Sequence, residues 1–125
     1  MVFLRGLLLA DWLRDPPGWL RCVAATYPVL AATPDAGVDP RFRPAAALAG
    51  SKDLPVVLTR AGLERPWIAA TVTEFVAAAS KHGTRLELID VPNGHHGFDT
   101  LDHTDESRRA VEQALDTVLR HLNQP

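Results

Sequence analysis

Hydrophobic and polar positions alternate along the chain in two patterns, one with the period of a helix and one with the length of a buried strand. Apolar side chains recur at helical spacing from Pro66 to Gly83, where proline favours the start of a helix and glycine favours its end. A second amphipathic stretch follows Thr104 or Asp105, either of which can cap it. Its predicted apolar face contains Val111, Leu115, Val118, Leu119 and Leu122.

Three apolar runs rich in β-branched residues have the length of buried strands. They are residues 22–30, 54–62 and 84–92. Between the first two runs, residues 33–53 are rich in proline and predict irregular structure with a short helical turn. A first helix is predicted over residues 2–14, so strands alternate with helices. This order predicts an α/β fold, with three parallel strands and flanking helices in three layers.

Length and composition narrow the class of protein. The 125 residues form one domain by size, residues 1–125, and 46% of them are hydrophobic, as in ordinary globular proteins. A net charge of -2 without a Lys/Arg-rich run argues against nucleic-acid binding. Cys22 is the single cysteine, which excludes an internal disulfide, and no apolar segment approaches the roughly 20 residues that span a membrane. We therefore expect a cytoplasmic protein without nucleic-acid or membrane partners.

Ionisable side chains follow the second and third predicted strands. Glu64 lies in "AGLERP" after the second strand, and His95 and His96 lie in "VPNGHHGFD" after the third. Because the carboxyl ends of parallel strands meet at one edge of a sheet, we expect a carboxylate and an imidazole to lie close together there. A carboxylate that fixes the tautomer of an imidazole produces a general base.

The loop after the third strand also supplies ligand types that suit zinc or a similar ion. Their spacing matches no established metal motif, and charged residues after a strand are usually solvated. We therefore predict neither a metal nor another cofactor. The residues of this alternative are His95, His96, Asp99, Asp102 and His103.

Two segments of the chain resemble the C-terminal part of an α/β-hydrolase, and most closely the dienelactone-hydrolase-like esterases. They are "LPVVLTRAGLERPWIAATVTEFVAAA" and "LELIDVPNGHHGFDTLDHTDESRRAVEQALDTVLRHL", and the likeness covers about residues 6–125. The resemblance implies that His96 of "HGFD" is the catalytic base. It implies that Glu64, about thirty residues earlier, is the acid, at a position where this group usually has Asp. The implied activity is ester hydrolysis through an acyl-serine intermediate, which needs no cofactor.

The nucleophile that this resemblance requires is absent from the sequence. The family carries its serine in a G-x-S-x-G turn between a strand and a helix, and the chain contains no such motif. The family counterpart of "GLLLADWL" reads like G-x-S-x-G-G-L-L, and aligning its final glycine with Gly6 puts Phe3 at the serine position and Arg5 at a glycine position. The serines of the chain lack this context; they are Ser51, Ser80 and Ser107.

Two functional hypotheses follow from these observations. In the first, the chain is an ester hydrolase by ancestry, truncated without its nucleophile-bearing half and inactive alone, which acts on a small ester if that half completes it. In the second, it is a non-catalytic interaction fragment that forms a homo-oligomer or binds a complementary chain. An unpaired edge on the strand predicted at 22–30 would favour such pairing. Packing roles, in the core or at its rim, are predicted for Trp12, Trp19, Trp67 and Cys22.

Overall fold

The computed structural model describes residues 2–51 and 53–125, and the side chains from Gly6 onward. The helices of this part are α1 (Val2–Arg14), α2 (Pro44–Ala47), α3 (Pro66–His82), α4 (Phe98–Leu101) and α5 (Asp105–Leu122). The strands are β1 (Val23–Thr26), β2 (Val56–Ala61) and β3 (Leu86–Val91). Short 3-10 turns lie at Pro34–Ala36, Pro40–Phe42 and Leu48–Gly50, in the segment predicted to be irregular with a helical turn.

The strands form one parallel sheet in the order β1-β2-β3, with Val56 opposite both Val23 and Leu86. Successive side chains of β2 point to opposite faces of the sheet. Val56 and Leu58 pack in a cluster with residues of α1, α2 and α3, whereas Val57 and Ala61 pack with Phe98 and α5. The predicted α/β fold, with three parallel strands and helices on both faces, is therefore confirmed.

Local sequence signals set the ends of the two long helices as predicted. α3 begins at Pro66 and ends before Gly83, which has φ 66°. The Thr84 N–H then donates to the Ala79 carbonyl over 2.9 Å, which satisfies an orphan carbonyl at the helix end. At the start of α5, Thr104 Oγ1 accepts from the Ser107 N–H at 3.1 Å, so Thr104 is the cap.

β1 is shorter than the predicted strand, which was expected to run over residues 22–30. The strand ends at Thr26 because Tyr27 has φ 38° and turns the chain out of the extended conformation. The apolar residues that follow are buried in irregular structure, and the Leu30 N–H donates to Thr71 Oγ1 on α3 at 3.1 Å. The apolar run thus indicated burial correctly, but its second half is a buried loop.

The predicted apolar face of α5 is wrong. Val111, Leu115, Leu119 and Leu122 are between 42% and 56% exposed, and we call these four residues the α5 stripe. Of the predicted face, Val118 alone packs against the core cluster beside β3. The helix turns smaller and polar side chains towards the sheet, and its buried residues are Ser107, Ala110, Thr117 and His121.

His121 explains part of this orientation of α5. Its side chain is 5% exposed, and its Nε2 lies 2.7 Å from Glu87 Oε1 on β3. Arg120 Nη2 lies 3.6 Å from the other oxygen of Glu87. These polar contacts join the buried side of α5 to β3, and the spacing of the apolar residues of α5 does not reveal them.

The three tryptophans lie at the rim of the fold. Trp12 and Trp19 are 44% and 69% exposed and meet edge to face, with ring centroids 5.7 Å apart. Trp67 is also substantially exposed, at the start of α3. Cys22 is partly buried beside β1, and this burial raises the pKa of its thiol. No helix in residues 2–51 and 53–125 combines the length and the apolar character needed to cross a membrane.

Candidate active site

Glu64 and His96, the two residues predicted to form an acid–base pair, are in direct contact. Glu64 lies between β2 and α3, and its side chain is 4% exposed. Glu64 Oε1 accepts from the Arg65 N–H at 2.9 Å, and Oε2 lies 2.6 Å from His96 Nδ1. The backbone bond holds the carboxylate in place while its second oxygen faces the imidazole.

The loops after β2 and β3 are joined by backbone hydrogen bonds, which explains why these two residues meet. The pairing of Ala61 with Val91 is continued by the Gly62 N–H, which donates to the Val91 carbonyl at 2.8 Å. The Leu63 N–H then donates to the Gly94 carbonyl at 2.9 Å. A Cβ at Gly62 would lie 2.2 Å from the Pro92 oxygen, so the approach of the two loops requires glycine there.

The imidazole of His96 is oriented for use as a base. An ionised carboxylate can only accept, so the short contact with Glu64 places the proton of a neutral ring on Nδ1 and leaves a lone pair on Nε2. His96 is 28% exposed and lines a cavity of about 350 Å3 beside β1. Gly6, Leu9 and Thr26 also line this cavity. The ring therefore combines a buried acid partner with an accessible edge.

Tyr27 is a site residue that the sequence reasoning missed. Its ring lies 4.6 Å from the imidazole of His96, centroid to centroid, and its hydroxyl donates to Asp99 Oδ1 at 3.0 Å. Burial raises the pKa of the Tyr27 phenol, and the hydrogen bond and negative charge of Asp99 raise it further. The strand-end rule would have selected Tyr27 if the end of β1 had been placed at Thr26.

His95 has a different partner from its neighbour. The His95 N–H donates to Asp102 Oδ2 at 2.7 Å, and His95 Nδ1 lies 3.2 Å from both oxygens of Asp102. The backbone hydrogen bond is the main cause that lowers the pKa of Asp102; the side-chain bond and the charges of His95 and His103 act in the same direction. These contacts close the loop that presents His96.

The side chains of the metal alternative do not form a common site. His95 contacts Asp102, His96 contacts Glu64, and Asp99 accepts from Tyr27. Among the described residues no group of three or more His, Cys, Asp or Glu side chains is arranged to hold a metal ion. A larger groove of about 530 Å3 between this loop and α5 is lined by neither His96 nor Glu64.

None of the serines takes part in the contacts of His96 in the part of the chain that the structure describes. Ser51 is 1% exposed and its hydroxyl donates to the Leu48 carbonyl at 2.8 Å. Ser107 accepts from Thr104 at the start of α5, and Ser80 is exposed near the end of α3. Phe3 and Arg5, which align with the elbow of the hydrolases, have side chains outside the described residues.

Comparisons with known proteins identify the fold. No protein-family profile matches the chain, and no curated protein matches it either. Among solved structures, the chain is similar to esterase 2 of Thermogutta terrifontis, in a form phosphoramylated by tabun, with a TM-score of 0.67 and 18% sequence identity. The match covers 96% of this chain and 53% of the esterase chain. The chain therefore has a partial α/β-hydrolase fold and spans about half the length of that esterase.

Proposed function

We propose that this chain supplies the acid–base half of an ester hydrolase, with His96 as the general base and Glu64 as the acid that orients it. The proposal rests on one observation, the 2.6 Å contact between His96 Nδ1 and an oxygen of the almost fully buried Glu64. The carboxylate stabilises the imidazolium that forms when Nε2 accepts a proton. The finer assignment to dienelactone-hydrolase-like esterases rests on the sequence resemblance and is part of this proposal.

The nucleophile, in this proposal, comes from outside these 125 residues, because the sequence has no G-x-S-x-G motif. β1 has a paired neighbour on one side only within the described sheet, and the cavity lined by His96 runs beside that strand. A strand from a complementary chain, added to β1, would bring its end close to His96. The substrate would be a small ester, and the protein would act in the cytoplasm without a cofactor.

The test measures acyl transfer from an activated acetyl ester to an added primary alcohol, which takes the place of the serine hydroxyl that the sequence lacks. We expect His96→Gln and Glu64→Gln to remove the rate above background, because they delete the base and the group that fixes its tautomer. His103→Gln is the matched control, since His103 is exposed beyond α4 and takes no part in the hydrogen bonds and the ion pair described for Glu64 and His96. Equal rates in the wild-type and His96→Gln chains would refute the proposal.

A fluorophosphonate probe tests whether this chain itself contains an activated serine. The Thermogutta esterase is phosphoramylated by tabun, so an organophosphorus reagent is a suitable choice for a chain with this fold. We expect no covalent label on the purified chain by intact mass, because none of its serines contacts His96 among the described residues. Stoichiometric labelling would mean that a serine of this chain is activated, and the complementary strand would not be required.

A second candidate function, a non-catalytic interaction module, is favoured by two exposed surfaces. The α5 stripe presents four half-exposed apolar side chains, and β1 presents strand backbone at the sheet edge. Such surfaces are typical of proteins that pair with themselves or with another chain. This candidate predicts an oligomer at micromolar concentration that His96→Gln leaves intact, as measured by sedimentation velocity.

A further inference from the structure

Tyr27 has an unusual backbone conformation at the point where β1 ends. Its φ of 38° is the only positive value at a non-glycine residue in the described chain. A bulky side chain is strained there, so the surroundings must hold the residue in place. The Tyr27 N–H donates to the Thr59 carbonyl on β2 at 2.8 Å, which anchors the turn to the sheet.

The side chain of Tyr27 contacts His96 in the loop after β3, and Phe98 and Asp99 at the start of α4. Its ring meets His96 at an interplanar angle of 59°, and it meets Phe98 edge to face with centroids 5.6 Å apart. Its hydroxyl donates to Asp99. Phe98 is fully buried, so this aromatic contact rests on the core. Tyr27 thus links the end of β1 to the loop after β3, although the two strands are not adjacent.

We propose that Tyr27 is a positioning residue that holds the imidazole plane of His96 so that Nδ1 stays on Glu64 while the other edge of the ring lines the cavity. The hydrogen bond to Asp99 and the contact with Phe98 keep the Tyr27 ring against the imidazole. The hydrogen bond from His96 Nδ1 to Glu64 alone leaves the ring free to rock about it, and the aromatic face of Tyr27 restricts that motion. This inference rests on the proposed function, in which His96 is the base.

Two substitutions at Tyr27 separate the roles of the ring and the backbone. Tyr27→Phe keeps the ring and loses only the hydroxyl. Tyr27→Asn removes the ring, but asparagine tolerates a left-handed backbone, so the turn after β1 is retained. Trp19→Asn is the control for loss of an exposed aromatic ring elsewhere, since Trp19 contacts Trp12 and not His96.

The measurement is nitrogen-15 and proton NMR of the whole chain, which reports the tautomer of His96 and the exchange rate of its Nδ1 proton with water. We expect Tyr27→Asn to accelerate that exchange about five- to tenfold, because the imidazole loses one aromatic contact that restricts its motion. Trp19→Asn should stay within about twofold of the wild type, and Tyr27→Phe should accelerate the exchange less than Tyr27→Asn, because it keeps the ring and loses only the hydrogen bond to Asp99. The Gly62 and Leu63 amides, which bond the two loops together, should exchange at unchanged rates in all variants.

Unchanged Nδ1 exchange in Tyr27→Asn would overturn the inference. Acceleration of the Gly62 and Leu63 amides in parallel would also overturn it, because Tyr27 would then support the loops generally rather than the imidazole. Acyl transfer distinguishes this failure from failure of the proposed function. A wild-type chain with a protected Nδ1 proton and no His96-dependent transfer would refute the function and leave the positioning role standing.

Discussion

At the scale of single residues, the candidate site depends on hydrogen bonds that hold the carboxylates near the imidazole of His96 in place. Glu64 has one oxygen on the Arg65 backbone and one on His96, and Asp99 accepts from Tyr27. Asp102 closes the loop through the backbone of His95. These hydrogen bonds hold the carboxylates in place, and in the proposed mechanism the bond to Glu64 orients His96.

The phenol of Tyr27 offers a direct check of its surroundings, because the sequence has a single tyrosine. We expect it to titrate above the ordinary value of about 10, since burial and Asp99 both raise its pKa. Its contribution to stability is present below about pH 10 and is lost as the pH rises through the raised pKa. Ultraviolet absorbance at increasing pH measures the midpoint. Asp99→Asn should lower it only part of the way, because burial is the largest cause.

The lowered pKa of Asp102 predicts that the free energy of unfolding decreases in acid. Because its pKa is lowered in the folded chain, its contribution is present above about pH 4 and disappears as the pH falls through the lowered value. Urea unfolding at pH values from about 5 down to about 2 should show a shallower pH dependence for Asp102→Asn than for the wild type. Asp116→Asn, at an exposed position of α5, is the control and should keep the wild-type slope.

At the scale of elements, the site is the consequence of two loops that leave neighbouring strands in register. β2 and β3 pair from Val56 with Leu86 to Ala61 with Val91, and the loops continue this pairing for two more hydrogen bonds. Regular pairing therefore extends to within a few residues of both Glu64 and His96. Any change that separates the loops should act on the site through this pairing.

Gly62→Ala tests the close approach of the loops. The added methyl group would meet the Pro92 oxygen, so the loops must move apart, at a cost of about 1 to 3 kcal/mol in the free energy of unfolding. The contact between His96 and Glu64 should weaken as well, which the exchange of the Nδ1 proton reports. Gly18→Ala is the matched control, because a Cβ there has no neighbour within 4 Å. Equal stability of the two variants would contradict the predicted constraint.

Thr104, which caps α5, allows a second prediction at the scale of elements, on the stability of the fold. Thr104→Ala removes the acceptor of the Ser107 N–H and should lower the free energy of unfolding by about 1 kcal/mol, whereas Thr104→Ser should preserve it. Chemical unfolding followed by circular dichroism measures both variants. A loss of stability in Thr104→Ser as large as in Thr104→Ala would show that the methyl group, not the hydroxyl, is important.

At the scale of the whole molecule, the chain has a partial α/β-hydrolase fold in three layers, with apolar surface exposed on α5. Its fold matches about half of the Thermogutta esterase, and the α5 stripe lies outside the core clusters of the described residues. Half-exposed leucines on one helix face favour association, because pairing them removes apolar surface from water. We propose self-association through this stripe as one route to a homo-oligomer.

Leu115→Glu combined with Leu119→Glu tests this self-association. Both side chains are about half exposed, so the stability of a monomer should change by no more than about 0.5 kcal/mol. The sedimentation coefficient at micromolar concentration should fall to that of a monomer. Gln113→Glu adds charge at another exposed position of α5 and should leave association unchanged. A wild-type chain that sediments as a monomer over the whole concentration range would contradict the proposal.

Much of this arrangement follows from local sequence. The periodicity of α3 and α5, Pro66, Gly83 and the Thr104 cap specify the helices, because these signals act over one or two turns. The approach of Glu64 to His96 also followed from the sequence. It requires only that two neighbouring parallel strands end at the same edge, a general property of such sheets.

The remaining features were decided by tertiary structure. Tyr27 turns out of β1 and reaches the imidazole because distant residues hold a strained backbone there, and hydrophobicity along the chain carries no information about φ. The packed face of α5 includes His121, which contacts Glu87 across 34 residues of sequence, whereas four of the larger apolar side chains stay about half exposed. Local patterns therefore determined which elements form and where Glu64 and His96 lie. Contacts between residues far apart in sequence decided how the imidazole of His96 is held and which apolar surface stays exposed.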